Sequence, residues 1–111
     1  MAYDLRLAER IRYALAAEQP VAERQMFGGL AFLIRGHMAA AASSKGGLMI
    51  RTDPATATDL VNTTSAEYVE MRGRQMHGWL HLDSAYLESD HELTMWINRA
   101  VKYSATLAQK I

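Results

Sequence analysis

The chain has 111 residues, half of them hydrophobic, with 12 basic and 12 acidic side chains and no cysteine. That length suits one domain with a modest core, expected over residues 1–111, and the balanced charge offers no long-range field to gather nucleic acid or anionic membrane. Without cysteine, a disulfide framework, a thiolate zinc site and a cysteine nucleophile are all excluded.

The N-terminus, Met1-Ala2-Tyr3-Asp4, runs into a charged amphipathic pattern and not an apolar signal core, so a soluble, unprocessed, cytoplasmic protein with no membrane association is expected. Between Asp4 and Glu18, Leu5, Ala8, Ile11 and Leu15 recur at spacings of three and four, with charged residues between them. This predicts an amphipathic helix, ended near Pro20, which restricts Gln19. Val21 to Met26 can open the sheet, although its polar content leaves that start undecided. From Arg24 to Arg51, glycines at 28–29, 36 and 46–47 cut an apolar run into three short strands joined by two turns. Leu30, Phe32 and Ile34 share one strand face and Ala31, Leu33 and Arg35 the other, with Arg35-Gly36-His37 as the hairpin turn. The run Met38 to Ala42 favours helix by propensity but is too short for one between glycine breaks, so it reads as a strand whose small side chains admit a close-packed helix. Leu48 to Arg51 completes the meander.

Asp53-Pro54 marks a helix start, with aspartate as cap and proline in the first turn, and the helix runs to about Thr63 with Ala57, Leu60 and Val61 inward. Tyr68 to Met71 and Met76 to Leu82 read as two strands around Arg72-Gly73-Arg74, with Trp79 and His81 opposite Leu80 and Leu82. Ser89-Asp90-His91-Glu92 matches a capping box, and the face Leu93, Trp96, Ile97, Ala100, Leu107 and Ile111 defines the last helix.

Four histidines raise a metal hypothesis, but His37, His77, His81 and His91 follow no ligand spacing. On a strand, His77 and His81 would stand roughly 13 Å apart, too far to chelate one ion. Ser43-Ser44 and Thr63-Thr64-Ser65 lack a base or a nucleophile-elbow context, and turn or cap roles explain them better. Asp83, Glu88, Asp90 and Glu92 are explained by helix-start preference. The double glycines lack the strand-to-helix phosphate signature, and Lys45 does not repair it. Arg72, Arg74 and His77, with Arg99 and Lys102 as neighbours to be tested, make the best candidate anion or partner patch, set against the ordinary solvation of a hairpin tip. The seven methionines read first as core filling and second as an adaptable partner surface. No catalytic residue, metal ligand or cofactor site is expected.

The succession of elements, together with Met26-Phe27-Gly28-Gly29, Leu30-Ala31-Phe32, Gly36-His37-Met38, Leu48-Met49-Ile50-Arg51-Thr52-Asp53 and the late helix with Trp96, resembles the N-terminal domain of the TfoX/Sxy family over nearly the whole chain. The resemblance implies a secretion-chaperone-like α+β fold: two layers, an antiparallel sheet of about five strands and packed helices, in the order α-β-β-β-α-β-β-α. It implies a link to transcriptional control and natural competence, with no catalytic residues to carry over. Met26, Phe27, Gly28, Gly29, Arg51 and Asp53 match its motif positions, where folding duties are expected. Regulators of this type carry a second, C-terminal domain, so this chain is expected to be a stand-alone version.

The leading expectation is therefore a non-enzymatic protein-interaction module, regulatory in role, with a protein partner of unknown identity or a homodimer. Two alternatives stand beside it. One is a nucleic-acid accessory factor using Arg72 and Arg74, although neutrality disfavours direct nucleic-acid binding. The other is an enzyme or ligand-binding domain with a site assembled from residues distant in sequence.

Overall fold

The computed structural model describes residues 3–18, 20–26 and 28–107. Along the chain run α1 (Leu5–Ala14), β1 (Val21–Met26), β2 (Gly29–Ile34), β3 (His37–Ala42), β4 (Leu48–Arg51), α2 (Pro54–Thr63), β5 (Glu67–Met71), β6 (Arg74–Leu82) and α3 (Asp90–Ser104). The six strands form one antiparallel sheet in the order β1-β2-β3-β4-β6-β5. This is the expected α+β architecture with one strand more than the five counted from sequence. The added strand is β1, pairing along its whole length with β2 from Val21↔Ile34 to Met26↔Gly29. Its residues Ala22 to Gln25 are exposed. An edge strand with so little to bury shows no apolar alternation, which is why its sequence is undecided.

Two tight turns set the register. Arg35-Gly36 joins β2 to β3 and Arg72-Gly73 joins β5 to β6, and all four residues have positive φ, between 53° and 85°. Two-residue hairpin loops favour this conformation because its twist matches that of the strands. Between β3 and β4, Ser43 N–H donates to Gly47 O and Gly46 N–H donates back to Ser43 O, both at 3.0 Å.

The helices start where the capping residues predict. Asp4 accepts from the amides of Arg6 and Leu7, Asp53 from Thr56 with Pro54 in the first turn, and Ser89 from Glu92. Each cap satisfies amide hydrogens that have no partner within the helix. In α1 the buried stripe is Leu7, Ala8 and Ile11, continued by Leu15, while Leu5 is 56% exposed. The expected stripe is thus corrected at its first position: Leu5 and Leu7 lie about 200° apart around the helix, and Leu7 faces inward. The helix also ends earlier than expected, at Ala14, followed by a 3₁₀ turn over Ala16–Glu18. The last helix ends at Ser104, so Leu107 lies beyond it, and Gln19 and Ile111 lie outside the described residues.

All three helices contribute to one core with one face of the sheet. The cross-strand row Glu23–Phe32–Ala40–Ile50–Leu80–Tyr68 lies on that face, and Phe32, Ala40, Ile50 and Leu80 are fully buried. Both α1 and α3 pack against β3, and Ala39, Ala40 and Ala42 belong to the core beneath them. The alanine run therefore does admit helices close to the sheet. Arg10 ties the two helices together by donating to Leu87 O at 2.7 Å and pairing with Asp90 at 3.1 Å.

Candidate functional site

The next row along the strands, Arg24–Ala31–Ala41–Met49–His81–Glu67, must face away from the helices because side chains alternate along a strand. Ala31, Ala41 and Val69 are buried yet stand apart from the main core. They belong to the lining of an open groove of about 970 Å³, together with Met26, Met38, Met49 and Met76. Register explains how the groove closes on one side. Tyr68 pairs with Leu80 but Val69 pairs with Met76, leaving His77, Gly78 and Trp79 without counterparts on β5. Such a bulge bends a strand and increases its twist. The hairpin tip beyond it, including Arg72, Arg74 and Gln75, lines the groove with the distant Met26 and Met38.

The methionines correct the sequence reading. None with a described side chain belongs to the core: Met26, Met38 and Met49 are half-buried, Met76 is 36% exposed and Met95 is 40% exposed. Leucine, isoleucine and alanine dominate the core, whereas Met26, Met38, Met49 and Met76 line the face that no helix covers and Met95 is exposed on α3. Composition counts methionine as apolar without saying which face of a strand it takes.

The proposed patch residues are placed in different surroundings. Arg72 and Arg74 are exposed and line the groove. His77 instead lies against the Tyr68 ring, centroids 5.4 Å apart, and Tyr68 shares a 2.9 Å hydrogen bond with Thr58 of α2. Arg99 lies on α3 with its guanidinium 5.3 Å from the centre of the Trp96 ring. Lys45, on the β3–β4 turn, joins Arg72 and Arg74 in the lining, as do Glu67 and Glu70 of β5. Its place there follows from the sheet pairing and has no local signal in the sequence.

His81 also borders the groove, and its Nε2 is 2.7 Å from Gly46 O. A carbonyl oxygen only accepts, so Nε2 carries the proton in this bond. His37 opens β3, and His91 is exposed in the first turn of α3. Among the described residues no three histidine, aspartate or glutamate side chains converge as a metal site.

Several members of the hydroxyl and carboxylate clusters make local bonds, while Asp90 pairs with the distant Arg10. Ser43 Oγ accepts from Lys45 N–H, Thr63 and Thr64 donate to the carbonyls of Asp59 and Leu60, and Asp83 accepts from Ala85 N–H. Ser44 lines the groove and Ser65 is exposed. Glu88 offers its backbone carbonyl to Arg10, while Glu92 lies in the first turn of α3.

The described motif residues lie in the β1–β2 hairpin, in β4 and at the cap of α2, and Met26 also lines the groove. Met26 pairs with Gly29 across β1 and β2, and Gly28 has φ 78°. A Cβ on Gly29 would stand 2.5 Å from Ala42 O. Arg51 lies over the Tyr103 ring at 5.7 Å, and Asp53 caps α2. Phe27 lies outside the described residues. Among those residues no helix is long and apolar enough to cross a membrane. No curated protein matches the chain at a significant level. The family model of the TfoX N-terminal domain matches residues 13–104, from the end of α1 to the last residue of α3, and the chain belongs to that family.

Proposed function

We propose that this domain is a non-enzymatic protein-interaction module with a regulatory role, and that the open face of its sheet is the contact surface. The observation that carries this reading is the groove lined by Met26, Met38, Met49 and Met76 on the face opposite the helices. An unbranched thioether side chain adapts its shape to what it meets, and methionine-rich surfaces suit partners that differ in detail. The local bonds of Ser43, Thr63, Thr64 and Asp83 favour structural duties for those side chains, and with them binding over catalysis. Membership of the TfoX N-terminal domain family favours a regulatory setting.

A photo-crosslinking residue at Gln75, exposed and in the groove lining, tests the reading against the same residue at Met95 on α3. The expected result is a discrete protein adduct from position 75 that position 95 does not give. An adduct to a second copy of the chain would identify the partner as itself, in a homodimer. Equal labelling from both positions, or none from either, would remove the groove as the contact surface.

A further inference from the structure

Three cations stand around the methionine-lined groove. Lys45 rises from the β3–β4 turn, near the end of the sheet where Leu48 pairs with Leu82. Arg72 and Arg74 flank Gly73 at the other end of β6. Among the described residues none of the three has a side-chain hydrogen bond or ion pair. Glu67 and Glu70 also line the groove, but both belong to the edge strand β5. Glu67 pairs with His81 towards the Lys45 end and Glu70 with Gln75 beside Arg74. The three lining cations outnumber these two carboxylates on the outermost strand, and a segment lying over β4 and β6 meets a cation at each end with the methionines between.

We propose that the groove takes a segment of a partner protein with apolar side chains on one face and carboxylates towards both ends. The apolar side chains lie on the methionines, and the carboxylates reach Lys45 at one end and Arg72 and Arg74 at the other. This rests on the interaction-module reading and specifies the partner's chemistry. Charge-assisted hydrogen bonds to arginine are short and directional, and an apolar setting strengthens them. From His81 to Arg74 the strand covers roughly 23 Å at about 3.3 Å per residue, which an extended segment of about seven residues matches.

The test uses the full chain and three fluorescein-labelled probes: a leucine–glutamate amphipathic peptide, its leucine–lysine counterpart of the same pattern, and a DNA oligonucleotide. Binding is read by anisotropy at low and high salt, and the site by methionine methyl NMR. The glutamate peptide is expected to bind about tenfold or more tightly than the lysine peptide, a difference set by charge complementarity. It should weaken with salt and shift the methyls of Met26, Met38, Met49 and Met76 without shifting Met95. The double variant Arg72→Asn, Arg74→Gln should lose most of that preference. Asparagine before Gly73 suits the positive-φ turn, so the variant tests the charge while keeping the hairpin.

Preference for the lysine peptide at the same methyls would overturn the acidic assignment and leave the interaction reading standing. Oligonucleotide binding tighter than either peptide, and lost in the double variant, would assign the cations to nucleic acid and overturn the proposal. No groove-methyl shift with any probe would overturn it too. If the Gln75 crosslinker also gave no adduct, the interaction reading would fall with it.

Discussion

Gly46 and Gly47 separate two demands that a double glycine hides in a sequence. Both have positive φ, 85° and 81°, but a Cβ on Gly46 meets nothing within 4 Å, whereas one on Gly47 would stand 2.4 Å from Leu82 O and 2.8 Å from His81 Nε2. Gly46→Ala is expected to cost about 1 kcal/mol, the conformational penalty alone, and Gly47→Ala appreciably more because backbone must move. Urea unfolding of the two variants checks the order; equal costs would show that the contact at Gly47 relaxes freely. That glycines were required here was readable from the sequence, but which one faces backbone was not. Leu5 and Leu7 make the same point in α1. Both are leucines near a capping aspartate, and the helix's rotation against the sheet leaves one exposed and buries the other.

Among the elements, β1 depends most on a contact remote in sequence. Arg12 of α1 makes two hydrogen bonds to the Glu23 carboxylate of β1, one of them 2.8 Å long, and its guanidinium lies 6.0 Å from the centre of the Phe32 ring. The hydrogen bond from Arg12 holds the Glu23 carboxyl below its ordinary value of about 4.5, against a smaller desolvation effect. A carboxyl with a lowered folded pKa contributes its full stability above the ordinary range and loses it as pH falls through the lowered value. Both side chains remain partly exposed, so the contribution should be only about 0.5 kcal/mol and should shrink in salt. Glu23→Gln is expected to remove that part of the acid limb, read from stability measured at a series of pH values; an unchanged acid limb would assign it to other carboxylates. Two registers of pairing between this strand and its own copy oppose like charges. Two-fold antiparallel pairing keeps each face on its own side, so a register centred on residue 23 opposes two glutamates and one centred on residue 24 opposes two arginines. The well-capped helices, by contrast, were legible because Asp53-Pro54 and Ser89-x-x-Glu92 are local signals.

At the scale of the whole molecule, the alanine run of β3 lies between two environments. Ala40 is fully buried on the helix side, and Ala41 helps line the groove on the other. Ala40→Leu should cost about 1–3 kcal/mol by overpacking the core, while Ala41→Leu should cost less than about 1 kcal/mol and narrow the groove. Denaturation midpoints of the pair check this, and equal costs would mean that the groove side is packed as tightly as the core. From sequence alone came the α+β class, every helix start, the two Arg-Gly hairpins and the family resemblance, because caps, turns and periodicity act within a few residues. The tertiary structure alone decided that β1 is a sixth strand, that the methionines with described side chains lie outside the core, and that Lys45 shares a groove with Arg72 and Arg74. Those outcomes depend on strand order, on a bulge and on which sheet face the helices cover, and these are set by long-range pairing and packing.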